Sequence, residues 1–330
     1  RAPCCRGFPQ GALLERVGCA SGCLGWPAEC AASPMPSIPG SACRNGVLKP
    51  LRALSLRSSR LAGRVRPHLP PPSGATRRVA AAMRVVTDRH QYQCGEVSLS
   101  AFVAWDEDVA TPSSPVPGVL VAHTAIGPQD AFIESKVVAL AEMGYVAFSL
   151  DMFGAGRAVV EPEEKMRAIE PLKKDRTLMI KRAIAAVDDV SKLAVVDSSR
   201  LAAIGYCLGG QTVLDLARAG LDNILGVVSF HGILDCPTLP DYPSFKAKVL
   251  ACHGNRDPFI SSSDLDAFTQ EMEEKDVDWQ LHVYGGAYHA FTRPEKVGEE
   301  HKQAGFQYDR NADTRSWKTM TNFLQEVMRA

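Results

Sequence analysis

The chain has 330 residues, 45% of them apolar and 22% charged, which is enough apolar material for a full core. No run approaches the roughly 18 consecutive apolar residues of a membrane-spanning helix. The formal net charge of zero hides a split, because residues 1–82 carry 12 basic side chains against only Glu15 and Glu29, while the rest of the chain carries 25 basic against 35 acidic.

The first segment reads as unfolded. It holds 11 of the 22 prolines, including Pro70-Pro71-Pro72, and proline removes backbone donors from helices and strands alike. It is rich in Arg and Ser, lacks aspartate and shows no apolar periodicity, so its composition resembles an organelle transit peptide. Val79-Ala80-Ala81-Ala82 is similar to a plastid processing site, which places the expected mature start near Ala82 or Met83 and the protein in a plastid or other organelle. A second reading takes Met83 as the true start, since the chain begins with Arg1, and makes the protein cytoplasmic. Nucleic-acid binding is not expected, because Phe8 and Trp26 are the segment's only aromatic residues and leave no stacking surface. The six cysteines here (Cys4, Cys5, Cys19, Cys23, Cys30 and Cys43) have irregular spacing that completes no zinc site.

Residues 83–330 alternate strand and helix patterns. Val119 to Ala122 is a buried strand, followed by a helix with Ile133, Val137 and Leu140 on one face and Gly144 as its stop. Tyr145 to Leu150 is a strand. A long charged stretch leads to a helix carrying Ile180, Ile184 and Val187. The strand Leu201–Ile204 turns at once into a helix with Val213, Leu214 and Ala217. Strands follow at Leu225–Phe230 and Lys248–Ala251, then a helix near Asp264–Met272, a strand at Trp279–Tyr284 and a last helix with Trp317, Met320 and Leu324. Strands separated by helices imply a mostly parallel sheet covered on both faces, an α/β fold whose chemistry gathers at the carboxyl ends of the strands.

Three strand ends carry reactive groups. Gly205-Tyr206-Cys207-Leu208-Gly209-Gly210 has the G-x-C-x-G-G pattern of a sharp strand-to-helix turn, in which flanking glycines let a strained central residue present its side chain above the sheet. The helix start brings the Leu208 N–H and a positive partial charge to the sulfur. Taken alone, Cys207 also fits a buried structural thiol, Asp257 a turn or capping residue, and His289 an ordinary loop histidine. Together they follow the order nucleophile, acid, base along the chain, the order of α/β-hydrolases.

On these motifs, residues from about 97 to 328 resemble the dienelactone hydrolase family, cysteine-nucleophile members of the α/β-hydrolase fold that cleave small lactones and esters. The match rests on Gly205–Gly210, the Asp257 turn and the loop Gly286–Arg293. The resemblance implies Cys207 as nucleophile, His289 as general base and acid, and Asp257 as the group that orients His289. It makes Arg293 a candidate for holding a substrate carboxylate, against a solvated loop charge. In the family, the loop after the third strand carries a glutamate that helps activate the cysteine. Here that loop reads His123-Thr124-Ala125-Ile126-Gly127, with Thr124 at the aligned place as a candidate substrate contact and the Ala125 N–H as the second oxyanion donor. A threonine cannot take a thiol proton, so Cys207 must depend on His289 and the helix terminus, and ester hydrolysis is expected while dienelactone itself is not assured. The second carboxylate-binding arginine is not placed, although Arg176 and Arg182 lie in the right region.

The expected activity is therefore cleavage of a small lactone or ester, carboxylate-bearing ones included, through a Cys-His-Asp triad and a thioester acyl-enzyme. The alternatives are a thioesterase or general carboxylesterase on the same fold, and a non-catalytic binding or redox-sensing protein with a reactive thiol. No metal is expected at His123, His231 or His253, which lack partners at ligand spacing. Gly154-Ala155-Gly156 lacks the third glycine of a dinucleotide fingerprint, and there is no phosphate-binding P-loop, so no cofactor is expected. The partner is a small molecule, with no nucleic acid and no membrane, and the oligomeric state is not fixed.

Overall fold

The structure is a computed structural model that describes residues 84–237 and 245–329. The expectations for residues 1–82, including the targeting segment and its six cysteines, lie outside the described residues. The elements are β1 (Val85–Cys94), β2 (Val97–Asp106), β3 (Val116–Ala122), α1 (Ala131–Ala141), β4 (Val146–Leu150), α2 (Pro162–Lys174), α3 (Arg176–Val190), β5 (Val196–Tyr206), α4 (Leu208–Arg218), β6 (Ile224–Phe230), β7 (Lys248–Gly254), α5 (Ser262–Glu274), β8 (Trp279–Tyr284), α6 (Glu299–Gln303) and α7 (Arg310–Val327).

The strands form one sheet in the order β1-β2-β4-β3-β5-β6-β7-β8. From β4 to β8 all neighbours run parallel, whereas β1 and β2 form an antiparallel hairpin joined antiparallel to β4. The hairpin, which has no clear apolar pattern in the sequence, is closed by Gly95 at φ 59°, a left-handed turn position that suits glycine. The parallel strands read as continuous apolar runs because both their faces are covered. Along β3, Val119 and Val121 pack with α1 residues Ile133 and Val137 and α7 residues Met320 and Phe323. Leu120 and Ala122 point the other way, toward Ala183 and Val187 of α3 and Val213 and Leu214 of α4, as strand periodicity requires.

The chain moves from β3 outward to β4, then returns to the other side of β3 to lay down β5. This reversal makes the carboxyl ends of β3 and β5 the switch point at which such sheets bind ligands. The loop after β3 begins at His123, and Cys207 follows β5 directly. The charged stretch after β4 contains α2, with Pro162 in its first turn, Glu163 and Glu164 beside it, and Lys173 and Lys174 in its last turn. That charge order complements the helix dipole. Only Ile169 and Leu172 of this helix are buried, which explains why no apolar period marked it. Among the described residues no helix is long and apolar enough to cross a membrane.

Candidate active site

Between β5 and α4, Cys207 adopts φ 56°, ψ −114°, a left-handed conformation that costs a non-glycine residue about 1–3 kcal/mol. The neighbouring backbone holds it there. Its N–H donates to the Phe230 carbonyl at 3.0 Å, and its carbonyl accepts from Gln211 N–H at 3.2 Å. The glycines are steric necessities. A Cβ on Gly205 would lie 2.0 Å from the Gly209 carbonyl oxygen, and one on Gly209 would lie 2.2 Å from that of Ala122. The turn thus folds back on itself and presses against the end of β3.

Asp257 and His289 follow the ends of β7 and β8. Asp257 lies in the turn after β7, 5% exposed, and its Oδ1 accepts from the Phe259 N–H at 3.0 Å. Its other oxygen accepts from His289 Nδ1 at 2.7 Å, which leaves Nε2 for the sulfur of Cys207, to which the imidazole is hydrogen-bonded. The His289 backbone is anchored to Gly305 and Gln307. Its ring is walled by Phe259, Phe306 and His231 at centroid distances of 5.1, 5.5 and 5.1 Å. Asp257 serves as a turn residue and as the partner of His289 at once, and α5 takes its cap from Ser261 instead.

The loop after β3 closes the site. The Ala125 N–H and the Leu208 N–H face the Cys207 sulfur and help to hold its thiol down. His123, fully buried, accepts from the Met152 N–H at Nε2 (3.0 Å) and meets the Thr124 carbonyl through Nδ1 at 2.6 Å. The Thr124 hydroxyl accepts from the Ile126 N–H at 3.3 Å and from Arg293 Nη1 at 3.1 Å. Behind this loop lies a second one, tied by the buried Asp151 carboxylate to the backbone N–H groups of Ser100, Phe153, Gly154 and Gly156, and Val159 N–H donates to Ile126 O at 2.6 Å.

Arg293 is not a solvated loop charge. It is 6% exposed, and its guanidinium grips both carboxylate oxygens of Asp130 as well as Glu295 and Thr124. It lines the cavity, but most of its donors are engaged. Arg176 pairs with Asp215 and Asp235, and Arg182 donates to the Met152 carbonyl. Neither lines the cavity that contains Cys207.

Electrostatics favour a charged pair at the centre. Burial pushes the Cys207 thiol up, but the charge of His289, its hydrogen bond and the two backbone N–H groups outweigh burial and hold the thiol below its usual value. Burial opposes charge on His289 as well, yet the Cys207 sulfur and the Asp257 hydrogen bond raise it to about 10. A thiolate and an imidazolium stabilise each other here. Burial and the charge of His289 keep His231 well below its ordinary value, so it is a neutral wall.

Cys207 and His289 open into a cavity of about 470 Å³, within the ordinary range for small-molecule sites. Its walls include Ile126, Met166, Ile169, Ile233, Phe259 and Phe306, and no acidic side chain among the described residues lines it. The sequence singled out Cys207, Leu208, Asp257, His289, Thr124, Ala125 and Arg293, and the structure brings all seven together. It adds His123 as a loop clamp, Asp130 as the partner of Arg293, and α2 as a cavity wall.

Residues 106–328 match the model of the dienelactone hydrolase family. A probable 2-oxo-3-(5-oxofuran-2-ylidene)propanoate lactonase of Bradyrhizobium is 31% identical over 190 residues, covering 53% of this chain and 73% of the relative. An uncharacterised protein of Caenorhabditis elegans is 37% identical over 147 residues, 44% of this chain and 92% of the relative. Among solved structures, a dienelactone hydrolase-like promiscuous phosphotriesterase from metagenomic libraries is 32% identical with a TM-score of 0.67, covering 74% of this chain and 100% of its own.

Proposed function

The chain belongs to the dienelactone hydrolase family and is a lactone or ester hydrolase, and from that premise we propose that it works by acyl transfer through Cys207, His289 and Asp257. The observation that carries this reading is the convergence on one sulfur of an imidazole and two backbone N–H groups. The resting state is a thiolate with its proton already on His289. The thiolate attacks the ester carbonyl, and the oxygen that gains charge takes over the N–H groups of Leu208 and Ala125. As the tetrahedral intermediate collapses, the C–O bond breaks and His289 gives its Nε2 proton to the departing alkoxide. The neutral imidazole then takes a proton from water, whose hydroxide attacks the thioester. The thiolate leaves, the acid is released, and the proton is back on His289.

Asp257 holds the imidazole with Nδ1–H toward itself and Nε2 toward the sulfur, the orientation that both proton transfers need. Thr124 takes no part in the proton transfers, since a hydroxyl is too weak a base to take a thiol proton, and its oxygen accepts from the Ile126 and Arg293 N–H groups. A thiolate acyl-enzyme favours activated esters and enol-lactones over amides, whose leaving group needs a stronger push. The non-catalytic alternative, a reactive thiol without turnover, does not account for a fixed acid–base pair and two converging donors around that thiol.

The test compares the full chain with Cys207→Ala on a dienelactone and on an activated aryl ester, with mass spectrometry of the quenched enzyme. Turnover that disappears in Cys207→Ala, together with an acyl adduct on Cys207, is expected. Retained turnover in the variant overturns the reading. Turnover of the aryl ester alone keeps the triad and excludes dienelactone as the substrate.

A further inference from the structure

The cavity is apolar along most of its wall, yet four cationic side chains line it: Lys165 and Lys173 of α2, Arg293, and Lys296. Their situations differ. Arg293 faces two carboxylates, Asp130 and Glu295, one more than its single charge balances. Lys165, Lys173 and Lys296 have no ion-pair partner among the described residues, although twelve other lysines and arginines there do. Lys296 is half-buried, with its ammonium 5.9 Å from the centre of the Phe306 ring. Burial holds it below the usual lysine value, the charges of Arg293 and Lys165 add to that, and Glu295 and Asp130 oppose it. Lys165 and Lys296 line the same cavity, and Glu295 and Asp130, which Arg293 grips, offset only part of the positive charge gathered there.

Beside these lysines the wall carries apolar side chains that face solvent. Met166 is 60% exposed and Phe259 is 45% exposed. Both line the cavity, so its outer part offers apolar contact and unbalanced positive charge together, while Cys207 and His289 lie at its inner end. Large apolar side chains left in water around a cleft mark a surface that is covered when the ligand binds. Unpaired ammonium groups over a low-dielectric wall concentrate anions.

We infer that the substrate is an amphipathic anion, an ester whose flexible apolar chain lies along Met166, Ile169 and Phe259 and whose anionic group, at the end remote from the reacting carbonyl, is held between Lys165 and Lys296. This deepens the hydrolytic reading of the same site and rests on it. It also moves anion recognition away from Arg293, whose charge is already met by two carboxylates, to Lys165 and Lys296, which form no ion pair among the described residues. Lys173, one helical turn and more beyond Ile169 and exposed, adds to the attraction without defining the seat.

The probe pair is mono-para-nitrophenyl suberate and para-nitrophenyl octanoate, which share leaving group and chain length and differ in the terminal carboxylate. With the full chain at low salt, kcat/KM for the anionic ester should exceed that for the neutral one by about tenfold, the worth of two partly exposed ion pairs, and the excess should shrink as salt is added. In the double variant Lys165→Met, Lys296→Met the ratio should fall close to one through a rise in KM for the anionic ester. Lys165→Arg with Lys296→Arg should preserve it. A ratio at or below one in the wild type, or a ratio that the double methionine variant leaves unchanged, overturns the inference. Turnover of the neutral ester alone, lost in Cys207→Ala, overturns it while leaving the hydrolytic reading intact. Absence of turnover for both esters removes both.

Discussion

The Nδ1–H of His123 donates to the carbonyl oxygen of Thr124 at 2.6 Å, and this tautomer is fixed because Nε2 is accepting from the Met152 N–H. A peptide unit is planar, so holding the Thr124 carbonyl also aims the N–H of Ala125, the group that meets the Cys207 sulfur. Burial keeps His123 below its ordinary value, only partly countered by the Thr124 hydrogen bond and neighbouring charges, so the ring stays neutral and keeps its acceptor.

His123→Leu removes that clamp and should lower kcat by about 10- to 100-fold, less than the 10²–10³ cost of deleting an oxyanion donor outright, with KM little changed. His123→Asn carries an N–H close to the position of Nδ1 and should recover most of the loss. Equal losses in both variants, tracking their melting temperatures, would reduce His123 to a packing residue.

Alkylation of Cys207 by iodoacetamide should report the ion pair. The thiol titrates below its ordinary 9.0, and His289 keeps its proton up to about pH 10. The alkylation rate should therefore rise with pH to a plateau whose midpoint lies below 9.0, because the thiolate is the nucleophile. In His289→Asn the imidazolium is gone while burial remains, so the midpoint should move upward past that of an ordinary thiol. A midpoint unchanged by the substitution contradicts the pairing.

The Arg293–Asp130 contact is buried on both sides. Asp130→Ala strands a guanidinium, and unfolding in urea should show a loss of about 3 kcal/mol or more, part of it from the lost cap on α1. Glu295, half exposed, touches the same guanidinium, and Glu295→Ala should cost less than about 1 kcal/mol.

Gly209→Ala places a methyl group 2.2 Å from the Ala122 carbonyl oxygen, where only backbone can yield. Soluble yield and activity should both collapse. Gly285 has open space around it, and Gly285→Ala should leave stability within about 0.5 kcal/mol. A well-folded Gly209→Ala enzyme would mean that the turn is looser than described.

The parallel strands and the three reactive strand ends were legible because each is a local pattern: a continuous apolar run, a glycine-flanked cysteine, and a polar residue just after a strand. The β1–β2 hairpin and α2 were not. The strands of the hairpin mix buried and exposed positions without clean alternation, and α2 buries two side chains on an otherwise charged surface. Pairings across the chain leave no local trace either. Asp130 and Arg293 are 163 residues apart, so the sequence offered Arg293 as an available cation when its partner was already in place. His123 looked like an ordinary turn residue because its acceptor and its donor, Thr124 and Met152, are assembled by two different strand ends.

In the proposed mechanism the two N–H groups that would hold the oxyanion face the sulfur in the resting state, and that would make the reactivity of Cys207 conditional. Hydrogen bonds to a thiolate stabilise it and so blunt it. An incoming carbonyl of the right shape draws those bonds to its own oxygen, unmasking the sulfur at the moment of attack. An electrophile without such an oxygen, peroxide among them, meets the blunted form. On the proposed mechanism the same pair of amides would act as a filter on chemistry, leaving the sulfur open to an acyl group and slower toward peroxide.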